Sequence, residues 1–137
     1  MERFPMNFVD TSVFLALYLE DDQYHDAAVR EWARRGRSVA TSNHVLDEMA
    51  TTLARRAGYR FATDRVAEIY SAPTIEIVQS TREDELEALS WMRKYADQGV
   101  SFTDCTSFAI MQRRRIRAAL TFDRHFRAAG FSVFGLA

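Results

Sequence analysis

A chain of 137 residues, 47% hydrophobic and 27% charged, has the size and composition of one folded domain that can bury about two thirds of its unfolded surface without disulfides. A formal net charge of −1 excludes a basic polyelectrolyte that holds nucleic acid by bulk attraction, so any phosphate contact must be local. The longest apolar run, Val13 to Leu19, falls well short of the roughly 20 residues of a bilayer span, the amino terminus carries no leader pattern, and the lone Cys105 cannot close an internal disulfide. A single cytoplasmic domain over residues 1–137 is the expectation.

Along the chain, Asn7 to Val9 after Pro5 reads as a short strand, and Thr11 or Ser12 caps a helix through Leu19. A second helix follows Asp21 and Asp22, with Ala28, Trp32 and Val29 expected inward, and stops at Gly36. Val39 to Thr41 is a strand candidate, and Ser42 caps a helix to about Arg56 whose apolar stripe is Leu46, Met49, Ala50, Leu53 and Ala54. A helix over 60–71 is broken by Pro73, Ile75 to Val78 forms a strand, and Thr81 with Asp84 makes a capping box for a helix reaching about Ala96. After Gly99 the pattern predicts a helix from about Asp104 to Arg114, a strand over Ala118 to Phe122, a short helix from Arg124 to Ala129 and a last strand from Phe131 to Phe134.

Strands alternating with helices at this spacing predict an α/β fold: a parallel sheet of about five short strands flanked by helices on both faces. Ligands bind such sheets at the carboxyl ends of the strands. Asp10 and Asp123 each follow a short apolar strand and Asp104 opens a helix, so all three fall along that edge.

Carboxylates gathered without compensating charge repel and take up protons, so a deliberate cluster implies a cation between them, and an all-oxygen set favours Mg²⁺ or Mn²⁺. Each acid also has a structural reading. Asp10 suits a turn and Asp123 a helix cap. Asp104 stands three after Ser101, the capping-box spacing. Glu48 falls nearly opposite the Leu46, Ala50, Leu53 stripe, which turns it to solvent unless its helix roofs the sheet edge. His44 shares a helix face with Glu48 but is too common a surface residue to count as a ligand. Cys105 reads as a small buried hydrophobe, His25 and His125 show no metal spacing, and Trp32 and Trp91 read as core or interface anchors. Nearly every cation is arginine, clustered at Arg34, Arg35 and Arg37, at Arg55 and Arg56, and from Arg113 to Arg117; these suit phosphate or an ordinary helix surface.

Local sequence separates these readings. Phe8-Val9-Asp10-Thr11-Ser12, Asp21-Asp22 with His25 and Ala27-Ala28, the Ser42 to Leu53 helix carrying Glu48, Ser101-Phe102-Thr103-Asp104-Cys105, and Leu120-Thr121-Phe122-Asp123-Arg124-His125-Phe126 occur in that order. Together they resemble PIN-domain ribonucleases, specifically the VapC-like toxins of bacterial toxin and antitoxin pairs. The resemblance implies a Mg²⁺- or Mn²⁺-dependent endoribonuclease whose acidic site is Asp10, Glu48, Asp104 and Asp123, with Ser12 or Thr121 orienting ligands or water. It also implies an RNA substrate, a small cognate antitoxin and a homodimer. Met1 to Pro5 stands ahead of the family's usual start, so translation could begin at Met6. A dehalogenase-type phosphatase would need Asp-x-Asp where Asp10-Thr11-Ser12 stands, an integrin-like adhesion site would need serine where Phe14 stands, and dinucleotide binding lacks its glycine loop. The alternative from another class is a PIN-like module without catalysis that only binds RNA or protein; the presence of all four acids argues against it.

Overall fold

The computed structural model describes residues 6–136, so the Met1 to Pro5 extension lies outside the described residues. Strands β1 (Asn7–Val9), β2 (Val39–Ser42), β3 (Ile75–Val78), β4 (Ala118–Leu120) and β5 (Ser132–Phe134) form one five-stranded sheet in the order β3-β2-β1-β4-β5. Every pairing is parallel. Parallel strands need long crossovers, and helices supply them: α1 (Thr11–Tyr18) and α2 (His25–Arg35), α3 (Asn43–Ala57) and α4 (Tyr59–Ser71), α5 (Arg82–Lys94) and α6 (Phe102–Arg114), and the short α7 (His125–Ala128). The chain moves outward from β1 to β3, then returns across β1 to β4 and β5. Right-handed crossovers running in opposite directions place their helices on opposite faces of the sheet. The reversal also opens a crevice between the carboxyl ends of β1 and β4.

The central strands are short because they are buried on both faces: Phe8, Val9, Val39, Ala40, Ala119 and Leu120 are all sealed in the core. One side-chain and one backbone hydrogen bond extend the ladder at the end of β1. Thr41 Oγ1 donates to the Val9 carbonyl at 2.9 Å, and the Asp10 N–H donates to the Leu120 carbonyl at 3.1 Å. Gly58, at φ +92°, lets α3 pass directly into α4, a conformation that a side chain would strain.

Two packing arrangements fix the elements that carry the acids. Phe108 of α6 meets Trp91 of α5 edge-on at 5.3 Å and Phe126 of α7 at 4.9 Å. Arg113 at the far end of α6 grips the buried Asp84 of α5 through two hydrogen bonds of 2.8 Å, while Asp84 also completes the capping box with Thr81. Burial alone would raise the Asp84 pKa, but the Arg113 and Thr81 hydrogen bonds and the Arg113 charge more than offset it, and the carboxyl lies below the usual range.

The sequence reading holds for every element, with local corrections. Helix α6 starts at Phe102, two residues before Asp104, because Ser101 caps it. Strand β4 stops at Leu120; Thr121 still donates its N–H to Phe134, but Phe122 turns away. Strand β5 begins at Ser132, and α5 ends at Lys94, followed by a separate 3₁₀ turn over Ala96–Gln98. Val29, expected inward, is 47% exposed, because α2 buries Ala28 and lays Trp32 against Phe14 instead.

Candidate metal centre

Asp10 leaves β1 at the sheet reversal and is 2% exposed. It occupies the cap position of α1 yet makes no capping hydrogen bond. Instead its Oδ2 accepts from Ser12 Oγ and Thr121 Oγ1, each at 2.8 Å. Both hydroxyls are held in turn by the loop after β4: the Phe122 N–H donates to Ser12 Oγ at 3.0 Å and the Asp123 N–H to Thr121 Oγ1 at 2.9 Å. Each hydroxyl therefore gives its proton to the carboxylate and receives one from the backbone. This clasp ties the end of β1 to the end of β4 and fixes one carboxylate oxygen of Asp10, with no side-chain hydrogen bond on the other.

Asp104 is 8% exposed near the start of α6. Its N–H donates to Ser101 Oγ at 3.1 Å, so the first half of the capping box forms. The reciprocal half does not, in contrast to the complete box of Thr81 and Asp84, and the Asp104 carboxyl points to the other acids. Asp123 has a double role. Its Oδ1 accepts the His125 N–H at 2.9 Å, which shapes the turn into α7, and its carboxyl shares a proton-dependent contact with Asp104. Glu48 is half-buried on α3, and contact between α3 and α6 brings it within the field of Asp104.

Ligand atoms of Asp104 and Asp123 lie within 4.8 Å of one another; those of Asp10 and Glu48 are not in that group, but their charges reach Asp104. Burial pushes Asp10 up to about 6, with Asp123's charge adding to the rise and the Ser12 and Thr121 hydrogen bonds opposing it. Asp104 is pushed up to about 10, first by burial and then by Asp10, Asp123 and Glu48. No described arginine or lysine forms an ion pair with any of the four. Buried acids repelling one another without a cation are the electrostatic counterpart of a divalent metal site, and their all-oxygen donor set fits a hard ion.

One residue departs from the sequence expectation. His125 lacks metal spacing along the chain, yet ligand atoms of Asp104, Asp123 and His125 lie within 4.8 Å of one another. His125 Nδ1 stands 2.9 Å from Asp123 Oδ1, off the line that an N–H would need, so this buried nitrogen has no hydrogen-bond partner. The Asp-x-His spacing across a turn was the only sequence sign of it. His44 is excluded from the centre: its Nε2 is engaged by Ser80 Oγ at 3.0 Å. Cys105 is sealed in the core, and burial pushes its thiol up to about 11, the behaviour of a small hydrophobe.

Comparison with known proteins agrees with this fold. The PIN domain family model matches residues 8–132. The chain belongs to the PIN domain family. It is 41% identical over 126 residues to the 23S rRNA-specific endonuclease VapC20 of Mycobacterium tuberculosis, an alignment covering 92% of this chain and 95% of the relative. The crystal structure of M. tuberculosis VapC20, described as a sarcin-ricin loop cleaving toxin, superposes with a TM-score of 0.85 at 40% identity, covering 90% of this chain and 95% of that one. A DNA-bound VapBC from Salmonella typhimurium, at 12% identity over 95% of this chain and 97% of that one, shares the fold with a TM-score of 0.67. Among the described residues, no helix is long and apolar enough to cross a membrane.

Proposed function

We propose that this PIN-domain protein is a Mg²⁺- or Mn²⁺-dependent endoribonuclease, the toxin of a toxin and antitoxin pair, and that its substrate is the sarcin-ricin loop of 23S rRNA, as described for its M. tuberculosis relative. The observation that supports the reading most is the buried Asp104 beside Asp123, with ligand atoms within 4.8 Å and no described arginine or lysine paired to either, in the field of the buried Asp10 and of Glu48.

Asp10, Glu48 and Asp104 are the residues that would hold a first ion, with Asp123 completing the site, and His125 Nδ1 stands beside Asp123 as a nitrogen donor that favours Mn²⁺ over Mg²⁺. A divalent ion bound there supplies Lewis acidity for the attack of water on phosphorus and offsets charge on the phosphoryl oxygens. Ser12 and Thr121 keep the Asp10 carboxylate in one orientation, so its second oxygen is preorganised toward the centre. Glu48, half-buried on α3, would complete the donor set from that side of the site.

An acidic pocket that must be silenced in the cell suits a cationic plug. A small antitoxin would lay an apolar helix against the α1 and α2 region, Val13 to Trp32, and direct an arginine or lysine at the four acids. Structural neighbours include a toxin-antitoxin complex from Klebsiella pneumoniae, a likeness of fold at 13% identity.

Purified protein is incubated with 23S rRNA in Mg²⁺ and in Mn²⁺, and the new ends are mapped. Cleavage in the sarcin-ricin loop, abolished by Asp104→Asn, is the expected result. Intact RNA in both metals, or cleavage surviving Asp104→Asn, would overturn the nuclease reading; cutting elsewhere would overturn only the assigned substrate.

A further inference from the structure

Beside the metal centre lies a cavity of about 500 Å³ whose lining includes Ser12, Asp22, Gln23, Tyr24, Phe122 and Arg124. Asp123 and His125 also border it, so it adjoins the Asp123 side of the acidic site. Its wall is an aromatic pair: the rings of Tyr24 and Phe122 are stacked at 4.5 Å with 6° between their planes. Phe122 is buried, whereas Tyr24 is 38% exposed. One face of Tyr24 is spent on Phe122, so its exposed surface is the other face and the ring edge. The backbone that carries the ring is held by the Tyr24 N–H, which donates to Asp22 Oδ1 at 2.8 Å.

We propose that Tyr24, backed by Phe122, is a stacking platform for an unpaired nucleobase next to the scissile phosphate, an inference that rests on the nuclease reading. Single-stranded and loop RNA is recognised by splaying a base onto an aromatic face and contacting its edge with polar side chains. The cavity offers both parts. Gln23 is exposed on its rim with an amide that can donate and accept, and Arg124 is an exposed cation that forms no ion pair among the described residues. Continuity with Asp123 decides the occupant. A phosphate held at the carboxylates has its neighbouring nucleoside within reach of this wall, and the polar rim of Asp22, Gln23 and Arg124 suits the edge of a base better than an apolar side chain. The platform selects for an accessible base at the cleavage position, and so for loops over duplex.

The test uses a hairpin RNA carrying the sarcin-ricin loop sequence, with 2-aminopurine placed in turn at each loop position. Binding is followed by fluorescence in Ca²⁺ and cleavage in Mn²⁺, for the wild type, Tyr24→Trp, Tyr24→Leu and Tyr24→Ala. In the wild type, fluorescence at one position next to the cut should be quenched by stacking. Tyr24→Ala should lose that quench and weaken binding by roughly 5- to 150-fold, seen as a raised KM with little change in kcat, while Mn²⁺ affinity stays within about twofold of the wild type. Tyr24→Trp should keep the quench. Tyr24→Leu covers Phe122 without offering an aromatic face, so it should behave like Tyr24→Ala, and it decides the matter if Tyr24→Ala fails to fold. Equal RNA affinity and unchanged quench in Tyr24→Leu would overturn the platform while leaving the nuclease reading intact. A variant that keeps its RNA affinity but loses a protein partner would overturn it in favour of protein docking. A wild type that binds and quenches but cuts no RNA would instead sink the nuclease reading and leave the platform standing.

Discussion

Replacing Asp10 by asparagine should stabilise the metal-free protein. The Asp10 carboxyl is raised from 3.8 to about 6, a shift of roughly two units, and each unit corresponds to about 1.36 kcal/mol between the protonation states. A group that holds its proton more tightly folded than unfolded stabilises the native state below its unfolded pKa, and that contribution is lost as pH rises through the folded value. Ionising Asp10 therefore removes about 3 kcal/mol between pH 3.8 and about 6. Asparagine is neutral throughout, and its amide oxygen can accept from both Ser12 and Thr121 as the Oδ2 of Asp10 does. Above about pH 7 the variant should melt roughly 10 °C higher than the wild type in EDTA, with the two converging near pH 4. Relief should extend to Asp104, because Asp10 is the second largest cause of its raised pKa. Added Mn²⁺ at about 100 times its Kd stabilises only the form that binds it, by about 2.7 kcal/mol, so the gap should close or reverse. Thermal melts followed by circular dichroism across that pH range decide the question. An Asp10→Asn protein less stable than the wild type in EDTA at every pH would show that the carboxylate is a structural anion, and the repulsion argument would fail.

Glu48→Gln should lower cleavage by more than about 100-fold at fixed Mn²⁺, while its metal-free melting temperature stays close to the wild type because the side chain is only half-buried; calorimetric metal titration and melts measure the two parts. His125→Ala should weaken Mn²⁺ binding more than Mg²⁺ binding, and equal effects on both ions would remove His125 from the ligand set. His44→Ala and Cys105→Ala should leave cleavage within a few-fold, since Ser80 holds one and the core holds the other; a large fall in metal affinity in either would redraw the centre. Arg113→Ala should cost about 3 to 5 kcal/mol in urea unfolding because it strands the buried Asp84 carboxylate, and since Asp84 has a lowered pKa, this loss should shrink as pH falls through the acid range.

The parallel sheet was legible because its strands are short apolar runs separated by helical stretches, and Asp10 and Asp123 stood out because they follow two of those runs. Glu48 was harder. Taking Ala50 as part of the core stripe placed Glu48 nearly opposite it, whereas Ala50 lines the groove toward α4 and the buried face is Val45, Leu46, Met49 and Leu53. About that face Glu48 sits roughly 115° from the centre at 100° per residue, on the flank. The capping-box spacing of Ser101 and Asp104 misled for a different reason: sequence cannot say whether the second half of the box forms, and here the carboxyl turns to the other acids. Tyr24 carried no readable signal as a site residue and His125 only its Asp-x-His spacing, because Phe122 and Asp104, which give them their surroundings, are distant in the chain.

The position of the centre follows from the sheet order. With strands arranged β3-β2-β1-β4-β5, the crossovers on either side of the β1 and β4 pair diverge, and the carboxyl ends of these two strands are left uncovered between them. Backbone leaving the sheet there has unpaired groups to satisfy, and the Ser12 and Thr121 hydroxyls meet that need by accepting the N–H groups of Phe122 and Asp123. Accepting those protons leaves each hydroxyl free to give its own to Asp10. The same four residues thus close the loop and orient the carboxylate. Their hydrogen bonds lower the Asp10 pKa but do not overcome burial and the charge of Asp123. Orientation is supplied by the fold, and in the proposed site a divalent cation would supply the charge neutralisation that these hydrogen bonds do not.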